Sequence, residues 1–317
     1  MRISIVTPVY NAGKYVEEAV KSALAQEEVA EVILVEDGSL DGSLEVCKKL
    51  ADKYEKVFLY QHPNGENRGA GETRNLAIEK STCEFVAFLD ADDFYLLGRF
   101  KNAKKIFEAR PEVDGVYEAI GTKFDNSEIE EKWKKNRWDL ILTLKQKVKP
   151  EKLFEFLVLA KQGIFSIDGL VVKKEALKKI GLFNTKLRIS QDTHMYLKLA
   201  AICTLVPGDI KNPVSMRRIH AGNRITKVDK NELYRYHHDL WKSLHEWSRN
   251  TQMNFSKKVI IEYMNFYYEI LIREKKNLNN INYNILLSLL KYSIKKPFSH
   301  TLMLMEKFLF YLFKSII

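Results

Sequence analysis

Cysteine is scarce. Cys47, Cys83 and Cys203 are the only three, an odd number at wide spacing with no CxxC pair. That argues against a disulfide framework or a zinc site and suits a reducing cytosol. No run of 18 uninterrupted apolar residues exists, so a membrane span is not expected. Met1-Arg2 leads straight into the strand-like Ile3-Ser4-Ile5-Val6, so no signal peptide is expected either. Internal repeats and low-complexity tracts are also lacking. Acidic residues are in deficit: 51 Lys and Arg outweigh 41 Asp and Glu, for a net charge of +10 and a pI near 9.2. This balance favours an anionic partner such as a nucleotide or phospholipid. Nucleic acid would also account for the charge, but no recognisable motif supports it. What is present is an ordinary globular composition, 317 residues with 46% hydrophobic and 29% charged. That is room for one large domain or two modest ones.

The first half alternates. Apolar runs at Ile3–Val6, Val32–Val35, Val57–Tyr60 and Phe85–Leu89 read as strands. Helical stretches at Lys14–Ala25, Leu44–Tyr54 and Gly71–Glu79 lie between them, with Val16, Ala19, Val20, Ala23 and Leu24 at helical spacing in the first. Ser43 is placed to cap the second. Such repetition implies right-handed βαβ units and a doubly wound, mostly parallel α/β sheet. Further on, helices are predicted at Leu96–Ala109, Glu151–Lys161, Lys174–Ile180 and Asp192–Ala201, and strands at Gly115–Thr122 and Ile210–Ile219. Asp125–Lys149, with Trp133 and Trp138, reads as a charged insertion near a binding site, and from about Lys227 the chain is helical, basic and aromatic.

Polar residues follow the strands in a pattern. Thr7-Pro8-Val9-Tyr10-Asn11 follows the first, Glu36-Asp37-Gly38-Ser39 the second, and Asp90-Ala91-Asp92-Asp93 the fourth. In a parallel sheet these loops share one edge and converge on one crevice. The Asp cluster suits a divalent cation carrying phosphate oxygens, although Asp92 or Asp93 could instead cap a helix starting near Tyr95. Asn67–Asn75 opens a helix at the same edge, its glycines allowing close backbone approach and Arg74 offering a planar donor fork. A nucleotide fits this chemistry. Tyr10 can stack on a base, Asp37 can accept from an imide N–H, Asp90 can hold ribose hydroxyls, and Asp92 can ligate a metal on diphosphate oxygens. Each residue also has a structural reading, as a loop aromatic, a turn or a solvated charge.

In this order the motifs resemble the family 2 glycosyltransferases of the GT-A fold. The match runs from Thr7–Asn11 through Glu36–Ser39, Asn67–Asn75 and Asp90–Asp92 to Gly181-Leu182-Phe183, Gln191-Asp192 and Arg218-Ile219-His220. The resemblance implies a catalytic domain over 1–225, with a nucleotide-binding half at about 1–110 and an acceptor half at 111–225, followed by a helical region at 226–317. It implies inverting transfer of a sugar from a nucleoside diphosphate donor, UDP foremost, to a hydroxyl of a glycan or lipid-linked acceptor in cell-surface polysaccharide synthesis. Thr7, Pro8, Tyr10, Asp37, Arg74 and Asp90 would bind the nucleotide, Asp37 and Arg74 by reading the base. Asp92 would bind Mn2+ or Mg2+, with Asp90 as a further candidate.

Asp192 matches the position of the catalytic base, where a carboxylate must take the acceptor's proton; as an isolated residue it reads more readily as a helix cap. His220 matches a position near metal and diphosphate, either as a ligand favouring Mn2+ or as a loop histidine. Arg217 and Arg218 would neutralise the leaving diphosphate. The sequence departs from the family pattern at Glu36 (Asp is commoner), Thr73 (Ala) and Gln191 (Glu). A non-catalytic scaffold, a phosphatase or a nucleotidyltransferase are the alternatives. The scaffold would have lost Asp92 or Asp192, the phosphatase would want Thr or Val where Phe94 stands, and the nucleotidyltransferase would want a Gly-rich loop after the first strand. The tail beyond about Asn231, with Val259–Ile272, Lys295-Lys296-Pro297 and Leu302–Ile317, reads either as an interfacial helix set on an anionic membrane or as a helical subdomain or dimer interface. The former implies a cytoplasmic protein, peripheral on the inner face of the cell membrane.

Overall fold

A computed structural model describes residues 1–135, 139–159, 163–223 and 230–273. Strand β1 (Ile3–Val9) is followed by α1 (Val16–Leu24), β2 (Val29–Glu36), α2 (Ser43–Lys53), β3 (Val57–Gln61), α3 (Ala70–Lys80) and β4 (Phe85–Phe88). This is the predicted βαβ succession. β1 is buried along almost its whole length, as a strand covered on both faces must be. Helix α1 turns Val16, Ala19, Val20 and Ala23 onto the sheet. Each of the two valines, fully buried, contributes about 1.5–3 kcal/mol.

The remaining elements are β5 (Phe94–Tyr95), α4 (Lys101–Ala109), β6 (Gly115–Tyr117), β7 (Ile120–Phe124), α5 (Ser127–Lys135), α6 (Pro150–Leu159), β8 (Leu170–Lys173), α7 (Lys174–Ile180), α8 (Gln191–Ile202), β9 (Leu205–Pro207) and β10 (Ser215–Ile219). Seven strands form one sheet in the order β3-β2-β1-β4-β8-β6-β9, and β5-β10-β7 form a second, smaller one. β1 pairs in parallel with both β2 and β4, whereas β8 runs antiparallel to β4 and β6. The strand order reverses at β1 and β4, and the crevice beyond their carboxyl ends is where an open α/β sheet holds ligands.

Three boundaries differ from the sequence reading. Gly115–Thr122 is two strands in two different sheets, because Glu118 turns inward to a buried arginine and Ala119 bonds to the Asp209 carbonyl. The helix predicted from Leu96 begins at Lys101, since Phe94–Tyr95 pairs with Ser215 and Met216 instead. The late strand shortens to Ser215–Ile219: Asp209 accepts from the amides of Lys211 and Asn212 and ties Ile210–Asn212 into a turn.

The chain divides into two compact units, Met1–Lys227 and Val228–Ile317. In the second, α9 (Lys230–Arg249) and α10 (Phe255–Arg273) pack together, burying Leu240, Trp241, Leu244, Ile261 and Met264, with His237 stacked on Tyr268. Among the described residues no helix is long and apolar enough to cross a membrane. Trp138, Lys295–Pro297 and Leu302–Ile317 lie outside the described residues.

Candidate active site

The loops after β1, β2 and β4 do meet. Thr7 is buried at the end of β1, and its Oγ1 has no hydrogen-bond partner. Pro8 is half-buried, and Tyr10 stands 46% exposed at the mouth of the crevice. Asp37 closes the adjacent wall. Its Oδ1 accepts from the Arg68 amide at 2.7 Å and its Oδ2 from the Gly69 amide at 2.9 Å, while its carbonyl accepts from Asn67 Nδ2. Gly38 allows this closure: with φ of +72°, a Cβ there would lie 2.7 Å from the Gly65 carbonyl oxygen. Asp37 therefore holds the 67–69 loop, and each oxygen retains a second lone pair for a further donor. Glu36 is equally occupied, bonding the Ser39 amide and Gln61.

The Asp cluster divides in two. No helix starts near Tyr95, so neither Asp92 nor Asp93 is a helix cap. Asp93 is buried; its Oδ1 accepts from the Arg218 amide at 2.6 Å, and its carboxyl also bonds that of Asp168. Asp168, in a short turn before β8, accepts from the Asp90 amide at 3.1 Å. Its carbonyl accepts from Nε and Nη2 of Arg99, whose Nη1 pairs with Glu118 at 2.8 Å. Arg99 and Glu118 are both wholly buried. Burial, then the charge of Asp90, pushes the Asp168 carboxyl up to about 7; burial, then Asp168, pushes Asp93 up as well. Oxygens of Asp90, Asp93 and Asp168 lie within 4.8 Å of one another, a spacing that could hold a cation. Without a cation, two sealed carboxyls raised in this way can be satisfied by sharing a proton.

Asp92 opens towards solvent. Its Oδ2 meets His220 Nε2 at 3.0 Å and Asn223 Nδ2 at 3.2 Å. His220 Nδ1 accepts from the Gly222 amide at 3.1 Å, so in the neutral ring Nε2 carries the proton and donates to Asp92. As arranged, His220 is a donor and not a bare ligand nitrogen. The open carboxylates of Asp92 and Asp90 are a hard oxygen pair that fits Mn2+ or Mg2+. Arg218 lies between Tyr15 and Phe94 and spends its charge on Glu18 at 2.5 Å and Asp125 at 3.4 Å. It still touches the site, its Nε donating to the Asp92 carbonyl. Arg217 points elsewhere, donating to Thr122 Oγ1 and the Asp139 carbonyl over the Trp133 ring; burial pulls it down to about 10.

Arg74 joins the remaining residues. Its Nη2 meets Asp90 Oδ1 at 2.7 Å and its Nη1 meets Asp192 Oδ1 at 3.0 Å. Asp192 is therefore next to the Asp90 edge of the crevice, 118 positions from Arg74 in sequence. It occupies the first turn of α8, and no side-chain capping bond forms at that terminus. Burial raises its carboxyl, and Arg74 pulls it back. Gln191 donates its amide to the Leu187 carbonyl, a bond the commoner Glu could not make when ionised. Asp168, Arg99, Glu118, Tyr15 and Asp125 had no signal in the sequence, being isolated residues without a motif.

The α/β fold is of the GT-A type, with open carboxylates at its switch point. The family model for glycosyl transferase family 2 matches residues 4–181, over half of the chain. The chain belongs to that family and is a glycosyltransferase. It is 27% identical over 248 residues to an uncharacterized glycosyltransferase of Rickettsia prowazekii, covering 75% of this chain and 70% of that protein. It is 41% identical over 93 residues to an uncharacterized glycosyltransferase of Haemophilus influenzae, covering 29% of this chain and 36% of the relative. It is 29% identical to the minor teichoic acid biosynthesis protein GgaB of Bacillus subtilis over 61% of this chain, but the match spans only 20% of that protein. Among solved structures, S. aureus TarS 1-349 in complex with UDP-GlcNAc superposes with a TM-score of 0.64 at 19% identity, over 87% of this chain and 74% of that one. The mannosyltransferase PcManGT of Pyrobaculum calidifontis, in complex with GDP-Man and Mn2+, gives 0.52 at 19% identity, over 96% and 79%.

Proposed function

We propose that this enzyme moves a sugar from a UDP-linked donor to a hydroxyl of a glycan or lipid-linked acceptor, with inversion, in cell-surface polysaccharide synthesis. One observation carries the reading: Asp192 is tied through a single guanidinium to Asp90, so a base lies beside the donor carboxylates. The UDP-GlcNAc complex of TarS and the teichoic acid role in the name of GgaB support the donor and acceptor classes.

Asp192 takes the proton from the acceptor hydroxyl as it attacks the anomeric carbon. Tyr10 stacks on the base, with Thr7, Pro8 and Asp37 around it, and Asp90 meets the ribose. Asp92, with Asp90, would hold a divalent cation, Mn2+ or Mg2+, which when bound would supply positive charge to offset the negative charge growing on the leaving diphosphate. His220 and Asn223 orient Asp92 through their hydrogen bonds to it, and Arg218 fixes the backbone that presents it.

The basic composition supports a peripheral position on the cytoplasmic face of an anionic membrane, whereas in α10 Tyr263 is buried and Tyr268 stacks on His237. Flotation with anionic liposomes checks this, and no flotation overturns it. The central test is a nucleotide-sugar panel assayed for donor hydrolysis with Mn2+, Asp92→Ala serving as control. Transfer is then measured for Asp192→Asn. Wild-type transfer by Asp192→Asn would remove the base assignment.

A further inference from the structure

Asp37, at the end of β2, presents little of itself. Its side chain is 4% exposed, and the amides of Arg68 and Gly69 already take one lone pair on each oxygen. A nucleotide base can meet only the edge that is left, so the direction of that edge decides which bases are accepted. His62 follows directly on β3 and is as deeply buried as Asp37. Its Nε2 lies 3.6 Å from Asp37 Oδ1 and 3.1 Å from Thr73 Oγ1.

Thr73 connects both sides of the carboxylate. It is wholly buried near the start of α3. Its hydroxyl donates to the Gly69 carbonyl at 2.9 Å, and its amide meets the same carbonyl at 3.1 Å. A hydroxyl has a single proton. With that proton given to Gly69, the Thr73 oxygen faces His62 as an acceptor, so Nε2 of His62 carries a proton and donates to it. The proton-bearing edge of the ring therefore lies beside Asp37 Oδ1. Gly69 is the residue whose amide holds Asp37 Oδ2. With φ of +85° it stands in the left-handed region, where a glycine is conformationally free, and the second bond to its carbonyl restrains it. One hydroxyl thus fixes the neighbours of both Asp37 oxygens.

Thr73 is a position at which the sequence departs from the family pattern, and the commoner Ala could make neither side-chain bond. Glu36 is another departure, and it is met by the residue next to His62: Gln61 Nε2 donates to Glu36 Oε2 at 2.9 Å. Adjacent residues at the end of β3 therefore serve both departures around Asp37.

We propose that Thr73 and His62 are positioning residues that aim the Asp37 carboxylate at a pyrimidine imide N–H, and that they give this enzyme a preference for uracil over cytosine nucleotides. This rests on the assignment of Asp37 to the base. Uracil carries a proton on N3 that a carboxylate accepts; cytosine carries a lone pair there, which a carboxylate repels. Neither Thr73 nor His62 touches the nucleotide.

The test uses the full chain. Dissociation constants for UDP and CDP with Mn2+ are measured by titration calorimetry, and kcat and KM by hydrolysis of a UDP-sugar. Wild type is compared with Thr73→Val, Thr73→Ser, His62→Leu and the Thr73→Val/His62→Leu double variant. Thr73→Val keeps the shape and removes the hydroxyl. A hydrogen bond to a charged group is worth a factor of about 10 or more, so Thr73→Val is expected to weaken UDP about tenfold and CDP by less than about threefold. The loss should appear in KM, with kcat at saturating donor held within about 3-fold. Thr73→Ser, which restores the hydroxyl, should restore UDP affinity. The double variant should lose little more than either single one, because residues acting as one unit are not additive.

The proposal is overturned if Thr73→Val binds UDP like wild type, if UDP and CDP weaken by the same factor, if the loss falls on kcat instead, or if the two losses multiply. Should Thr73→Val not fold, Thr73→Ala replaces it with the same expectations. Asp37→Asn is measured alongside. Unchanged UDP affinity there would remove the reading of Asp37 itself, whereas a loss there with none in Thr73→Val removes only the positioning role.

Discussion

The Asp93–Asp168 pair should give the protein a stability that falls as pH rises, the reverse of the ordinary carboxylate effect. The Asp168 carboxyl stands at about 7 in the fold against 3.8 in the open chain, because it is buried and then because Asp90 is charged nearby. The folded state therefore keeps a proton that the unfolded chain has already released. Its contribution is complete below about pH 4, declines as pH rises, and is gone once pH passes about 7. One proton sets the slope at about 1.4 kcal/mol per pH unit, hence roughly 4 kcal/mol across the window as an upper bound. Asp41, Asp125 and Asp209 act in the opposite sense, since hydrogen bonds to their charged forms hold them below the usual range. The raw curve is therefore composite, and the difference from Asp168→Asn isolates the pair. The amide of that variant can accept from the Asp90 amide and donate to Asp93 without a titrating proton. Urea unfolding, followed by far-UV circular dichroism with chelator present, should show Asp168→Asn gaining on wild type from pH 4 to 7. A difference that stays flat over that range would refute the shared proton.

Three further outcomes follow from the same geometry. Glu118→Ala leaves the sealed guanidinium of Arg99 without its counter-charge, which costs about 3–5 kcal/mol; a thermal melt should shift down by about 6–20 °C for a unit of this size. Gly169→Ala puts a Cβ 2.3 Å from the Glu118 carbonyl oxygen, so the turn carrying Asp168 must move; a loss of about 1–3 kcal/mol should come with a lower kcat, and full activity would show that the turn does not matter. Asp92→Ala should abolish the metal dependence of donor hydrolysis while leaving the melting temperature near wild type, because the side chain lies at the open edge of the crevice; a metal titration of initial rates reads this directly.

The nucleotide-binding half was legible because its signals are local. Each strand from β1 to β4 is a short apolar run, α1 shows apolar residues at helical spacing, and α3 was expected at Gly71–Glu79 and is found at Ala70–Lys80. Asp37, Asp90 and Asp92 were singled out because they stand directly after strands, and the structure places them at those strand ends. Ser43 shows the limit of such rules. It was expected to cap α2, yet the helix begins at Ser43 itself after a left-handed Gly42. The serine hydroxyl serves the Ala12 amide and Asp41 instead. Gly115–Thr122 failed for a different reason: Val116, Tyr117, Ile120 and Thr122 favour strand, and the break at Glu118 comes from Arg99, 19 positions earlier.

The same distance effect explains why the centre of the site could not be read residue by residue. Glu118 pairs with Arg99, Arg99 donates to the Asp168 carbonyl 69 positions away, and Asp168 accepts from the Asp90 amide 78 positions back. Asp90 pairs with Arg74, and Arg74 reaches Asp192 across 118 positions. Apart from the Arg74–Asp90 pair, at 16 positions, none of these links is visible to a window the length of a helix or hairpin. A lone Asp168 between Ile167 and Gly169 carries no pattern at all; its meaning comes from the arginine beneath it. The ends of this line were nonetheless found, since Asp90 and Asp192 also sit where strands stop and helices start. Sequence position singled out the carboxylates proposed to face substrate, and the buried charges between and beneath them hold those groups in place. Changes at Arg99, Glu118 and Asp168 should therefore alter catalysis without any of the three touching a sugar.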